Sequence, residues 1–222
     1  MITMGRALED HTIPEARSET TLVTVIDQDE VVRLGVVAAL DASDGFRATA
    51  IHAEADEAPA ARGLILLGAR AMSAHETPPA VRRLVASGAT VVLHTADERP
   101  VPLRAAIVEG AGGVALRRDG VAGLLDTMRA ALAGGLGFSS PYAERLCSER
   151  DLIARLSVRE ADVLECLSDG LTHRQAARRL GIDEETVKTH LKSVRAKYIA
   201  LGRSVTNVGT LKREARKDGW LL

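Results

Sequence analysis

Lys188, Thr189, Lys192 and Arg195 are interleaved with Val187, Leu191 and Val194, which recur every three or four positions. A helix here carries an apolar stripe on one side and cations with a hydroxyl on the others. Such groups on an exposed helix donate to base edges and phosphate oxygens. A basic helical face is more often plain solvated surface. What decides between the two is the set of elements that would hold this helix.

Those elements are legible upstream. Leu156, Val163, Leu164 and Leu167 recur at helical spacing, and Ser157 with Glu160 three residues later makes a capping-box pattern. Asp169-Gly170 stops that first helix, and Thr172 caps a second, short one running through Leu180 to Gly181. After a tight turn Asp183 caps the third, with Glu184 and Glu185 in its positive first turn and Lys197 in its negative last turn. A short helix, a glycine-containing turn and a longer helix make a helix-turn-helix, whose second helix enters the major groove.

The run GLTHRQAARRLGIDEETVKTHLKSVRAK, with the preceding LSVREADVLECL, resembles the LuxR/NarL-type helix-turn-helix over about forty residues. By matched position the resemblance implies that Lys188, Thr189 and Lys192 face bases, that Thr172, Arg174, Thr186 and Arg195 approach phosphates, and that His190 is structural. The sequence departs from the pattern at Ala176-Ala177, where isoleucine-alanine is usual, and at Tyr198-Ile199, where leucine-glycine ends the third helix. Arg203 to Asp218 reads as a fourth helix despite Gly209, and the resemblance implies a role for it in dimerisation. The apolar end Trp220-Leu221-Leu222 is expected to pack on this same module.

Charge is distributed to match. The net charge is −1 over 222 residues, yet residues 151–222 hold 14 Lys/Arg against 10 Asp/Glu, leaving 15 against 20 in residues 1–150, and all five lysines lie in the C-terminal part. No apolar run reaches membrane-spanning length and no signal peptide is evident, so a cytoplasmic protein without a membrane partner is expected. Cys147 and Cys166 have no CxxC spacing or paired histidines, which argues against a disulfide or a metal site.

Residues 1–20 are polar with no apolar period and are expected to be a disordered tail. From Thr21 short apolar runs alternate with helical segments: LVTVI, VVRLGVVAAL, FRATAI, an alanine-rich segment, LILL, VRRLVA, TVVLH, PLRAAIVEG, GGVALR and VAGLLDTMRAAL. Five strand-helix repeats predict an α/β fold over 21–133, a doubly wound, flavodoxin-like parallel sheet of five strands with functional loops at the strands' C-terminal ends. Residues 134–153 are expected to be a linker with a short helix, and 154–222 an all-α four-helix helix-turn-helix domain.

Repeat number, size and position resemble the receiver domain of response regulators. That resemblance implies an aspartyl-phosphate site: a carboxylate nucleophile, Mg²⁺ on hard oxygen ligands and a cation to neutralise the phosphoryl group. Here the acidic pair is Asp27-Gln28 with Asp29 next, the acceptor position holds Gly68, Thr95 stands at the switch hydroxyl, Arg117 replaces lysine and Val114 replaces the aromatic switch residue. The expected unit is therefore a pseudo-receiver with no catalytic residues, no cofactor and no metal. Arg70, His75, Arg99 and Arg104 are candidate partners for a small anionic effector at its loops, although isolated loop arginines are usually solvated. Leu103, Ile107, Leu124, Leu125 and Met128 serve either the core or a symmetric interface, core being the commoner use.

The function these observations imply is a non-enzymatic transcriptional regulator binding double-stranded DNA as a homodimer. The alternatives are a conventionally phosphorylated regulator using Asp27 or Asp29, and a sigma-factor-like subunit. The latter would want an aromatic-rich basic segment for promoter melting, which the first half lacks.

Overall fold

The structure, a computed structural model, describes residues 20–56, 58, 63–69, 77–148 and 153–221. Residues 1–19 of the expected 1–20 tail lie outside these, as do Arg70 and His75.

The chain begins with β1 (Thr21–Ile26), α1 (Glu30–Asp41), β2 (Phe46–His52), β3 (Gly63–Ala69), α2 (Thr77–Ala86) and β4 (Ala89–Thr95). It continues through α3 (Pro100–Val108), β5 (Gly113–Leu116), a 3-10 turn (Arg117–Asp119), α4 (Gly120–Leu132), β6 (Gly137–Phe138) and α5 (Pro141–Ser148). All strand pairs are parallel, in the order β2-β1-β3-β4-β5-β6. Val36 and Leu40 of α1 and Leu124, Met128 and Ala131 of α4 cover one face, over Val23, Val25, Leu64, Leu66, Val92 and Ala115. Helices α2, α3 and α5 cover the other through Val81, Leu84, Leu103, Ala106, Ala143 and Leu146. Burial on both faces explains why the strands read as continuous apolar runs. Leu103, Leu124 and Met128 are core residues, and Ile107 and Leu125 pack against the core partly buried.

Two expectations need correction. The sheet has six strands: β6 joins the edge of β5 in a stretch expected to be linker. A Cβ at Gly113 would lie 2.7 Å from both the Gly137 carbonyl and Thr127, so glycine there lets β6 and α4 close over β5. The alanine-rich segment after β2 forms no helix among its described residues, which are bends and turns at 53–56 and 58.

The C-terminal part is α-helical: α6 (Val158–Ser168), α7 (His173–Leu180), α8 (Glu184–Ala200) and α9 (Val208–Asp218). Its core gathers Leu164, Leu167, Ala176, Val187, Leu191, Val194, Tyr198 and Leu211. Helix α9 begins later than expected, because Asn207 and Thr210 form a capping box that opens the helix at Val208 and puts Gly209 in the first turn. Trp220 Nε1 donates to the Ala154 carbonyl at 3.0 Å, which docks the C-terminal segment on its own module as expected. No helix among the described residues is long and apolar enough to cross a membrane.

Candidate nucleic-acid interface and acidic pocket

The recognition helix α8 is held by its caps and by its buried stripe. Asp183 accepts from the Thr186 amide at 2.7 Å and from its hydroxyl at 2.8 Å, and Gly181 takes the left-handed conformation (φ 66°) that ends α7. Ser157 with Glu160 and Thr172 with Gln175 form the capping boxes that start α6 and α7. With Val187, Leu191, Val194 and Tyr198 buried, Lys188, Thr189 and Lys192 are left exposed on α8, and Arg195 is half-buried. Lys188 reaches Glu185 at 3.2 Å and Glu184 at 3.8 Å, exposed pairs of little energetic weight. Thr172 and Arg174 are exposed at the start of α7, and Thr186 is half-buried. The Thr172 and Thr186 hydroxyls are engaged in the caps, bonded to Gln175 and Asp183.

Glu160 does more than cap. Its carboxylate, with a side chain 6% exposed, accepts from Lys197 Nζ at 2.5 Å, Ser193 Oγ at 2.7 Å and the Ser157 amide at 2.7 Å. Burial pushes the carboxyl up, but the Lys197, Ser193 and Ser157 hydrogen bonds outweigh it and bring it down to about 2. Lys197, expected to complement the helix dipole, thereby ties α8 to α6. The capping-box spacing foretells Glu160's local bond and says nothing of a partner 37 residues on.

At the C-terminal end of the sheet, Asp27, Gly68, His94 and Arg117 follow Val25, Leu66, Val92 and Ala115 at period two, on the face covered by α1 and α4. Asp27 is 2% exposed. Its Oδ1 accepts from the Asp29 amide at 2.8 Å, its Oδ2 pairs with Arg117 Nη2, and Arg33 donates to its carbonyl. A Cβ built on Gly68 would overlap that carboxylate and lie 2.8 Å from the Asp27 Cβ. The Asp27 side chain thus fills the volume that any side chain at position 68 would need.

The other members of the degenerate site are dispersed. Gln28 donates to Glu54 at 3.1 Å. Asp29 caps α1 by accepting from the Val31 amide at 3.1 Å. The Thr95 hydroxyl accepts from the Asp97 amide at 2.9 Å, the local capping typical of a strand-end threonine. Of the candidate effector cations, Arg99 binds Asp97 and, at 3.0 Å, the Leu221 carbonyl, while Arg104 donates to the Leu146 carbonyl at 3.0 Å. Sequence reasoning missed Arg33 and His94. The only signal for His94 is its period-two relation to Val92.

The caps, the glycine turn and the cation-bearing third helix coincide with a known sequence family over residues 154–205, described as bacterial regulatory proteins of the luxR family. Those residues belong to the luxR family. Over 189 residues the chain is 29% identical to the probable transcriptional regulatory protein SgaR of Hyphomicrobium methylovorum, covering 82% of this chain and 87% of that one. It is also 29% identical over 202 residues to the nitrate/nitrite response regulator protein NarP of Escherichia coli K12, covering 84% and 92%. The solved structure of the response regulator ChrA, from a heme-sensing two-component system, matches with a TM-score of 0.50 at 27% identity, over 90% of this chain and 98% of that one. The chain is a DNA-binding transcriptional regulator of the luxR/NarL response-regulator type.

Proposed function

We propose that this regulator binds double-stranded DNA as a homodimer through α8, and that its receiver-like unit works as a pseudo-receiver, without phosphorylation. The observation that carries the second half is the Asp27 carboxylate, seated against Gly68 and paired with Arg117. An aspartyl phosphate needs an accessible carboxylate, hard oxygen ligands for Mg²⁺ and room for the transferred group. Both Asp27 oxygens have partners, Asp29 caps a helix, and position 68 has neither a side chain nor space for one.

For the first half, the exposure of Lys188, Thr189 and Lys192 along one helix supports base contact, and Thr172, Arg174, Thr186 and Arg195 at its flanks support phosphate contact. Helix-turn-helix units commonly read paired half-sites as dimers, which favours the homodimer. In this reading residues 21–133, extended by β6 and α5, are the regulatory unit, and residues 154–222 are the DNA-binding unit. The test incubates the full chain with acetyl phosphate and Mg²⁺, then measures intact mass and DNA affinity. The expected result is no phosphoryl adduct and unchanged affinity. Stable labelling of Asp27 or Asp29 with a matching change in affinity overturns the pseudo-receiver.

A further inference from the structure

The outer face of α8 carries one charge that attraction to phosphates does not explain. At about 100° per residue, Lys188, Lys192 and Thr189 share an arc of about 100° on the helix surface, and Glu185 falls inside that arc, about 60° from Lys188 and about 40° from Thr189. The buried stripe of Val187, Leu191, Val194 and Tyr198 lies on the opposite side. The Glu185 side chain is 79% exposed, and its carboxylate stands 3.2 Å from Lys188 Nζ. Glu184 carries the same charge in the same turn, yet it sits on the other side of Lys188, toward the buried stripe, and is 47% exposed. The helix dipole favours a carboxylate at either position. It does not call for one in the middle of the face that approaches a polyanion, where the phosphates repel it.

Donor and acceptor chemistry supplies a use for it. A carboxylate only accepts hydrogen bonds. The major groove offers it two donors, cytosine N4 and adenine N6, and adenine sets its N7 acceptor beside N6, so cytosine is the base that suits a carboxylate. An ammonium group only donates, and it suits guanine O6 and N7. A C·G pair holds cytosine N4 next to guanine O6, and Glu185 with Lys188 presents an acceptor next to a donor in the same arrangement. Their mutual attraction is weak because both are exposed, so the two side chains can exchange each other for base edges.

We propose that Glu185 is a specificity-determining residue of the DNA interface, its carboxylate accepting from cytosine N4 of a C·G pair whose guanine binds Lys188. Lys188 alone tolerates N7 of either purine and O4 of thymine, and the carboxylate narrows that choice to the pair containing cytosine. The inference rests on the reading of α8 as the recognition helix and adds an acidic member to its basic face.

The test is selection of bound duplexes from a randomised library by the full chain, native and as Glu185→Ala, Glu185→Gln, Glu184→Ala, Lys188→Ala and Lys192→Ala. Affinities for the selected duplex and its single-pair variants are then measured, with circular dichroism to verify the fold. In the native chain one C·G pair of the selected site should resist replacement by at least about fivefold. Glu185→Ala should lower that preference below about twofold, at the same pair that Lys188→Ala relaxes, and leave other positions as they are. Glu185→Gln should turn it toward adenine, since a carboxamide donates to N7 and accepts from N6. Glu184→Ala should keep the native preference. Uniform tightening of all sequences by Glu185→Ala makes the carboxylate a repelling charge and overturns the proposal. So do equal effects of Glu184→Ala and Glu185→Ala, a native cytosine preference in Glu185→Gln, or relaxation at a pair other than that of Lys188. If the lysine variants change preference while the Glu185 variants do not, only this inference falls. If the native chain selects no sequence, or the lysine variants change nothing, the recognition-helix reading falls with it.

Discussion

Gly68→Ala addresses the geometry on which the pseudo-receiver rests. β3 is paired to β1 on one side and to β4 on the other, so its backbone cannot retreat from an added methyl. The Asp27 carboxylate must leave instead, and with it the pair to Arg117, whose side chain is 18% exposed. Overpacking a tight site costs about 1–3 kcal/mol. Removing one partner of a buried pair costs about 3–5 kcal/mol, a ceiling here because a displaced Asp27 stays near Arg117. Reduced freedom of the unfolded chain returns about 0.4–1 kcal/mol. The expected net loss is about 2–4 kcal/mol for alanine and more for Gly68→Asp, which sets a second carboxylate against the first. Asp27→Ala clears the obstruction, so the double variant Asp27→Ala/Gly68→Ala should show a favourable coupling of about 1–3 kcal/mol. Urea denaturation of the native chain, both single variants and the double, followed by circular dichroism, supplies the cycle. A Gly68→Ala loss under about 0.5 kcal/mol, or strictly additive single losses, refutes the idea that Asp27 occupies this volume.

Lys188→Ala and Lys192→Ala should each weaken specific DNA binding by about 1–3 kcal/mol and relax sequence preference, while Lys212→Ala and Lys217→Ala do much less; equal losses across all four in titrations at several salt concentrations would argue against α8 as the reading helix. Glu160 is held below its unfolded value, so its stabilisation is present above pH about 4.5 and is lost as pH falls toward 2, a term of about 2 kcal/mol after discounting the partly solvated Lys197. Glu160→Gln should flatten the acid limb of the C-terminal module's stability curve. His94 is lowered as well, so its contribution to the first unit is present above pH about 6.5 and fades on acidification toward 4; the imidazole carbon shifts by NMR should report a neutral ring at pH 5.5. Gly35→Ala should raise thermal stability by up to about 1 kcal/mol, since the methyl meets nothing and alanine favours the helix.

The parts of this molecule legible in the sequence are those whose causes lie within a few residues. Ser157, Thr172 and Asp183 announce helix starts because their side chains reach amides three residues ahead, and Val187, Leu191 and Val194 fix which side of α8 remains outside. Asn207 with Thr210 carries the same capping signal for α9, and the apolar spacing of Val205, Val208 and Leu211 runs across that helix start and hides it. The alternation of apolar runs with helical segments sufficed for a parallel, doubly wound sheet. β6 escaped because two residues have no period, and its place depends on glycines at 113 and 137 that let α4 and the neighbouring strand approach.

The acidic pocket divides in the same way. That Gly68 offers nothing to phosphorylate is a matter of residue identity, readable from the chain alone. That Asp27 fills the space and pairs with Arg117, 90 positions away, follows from β1, β3 and β5 ending together at the C-terminal end of the sheet.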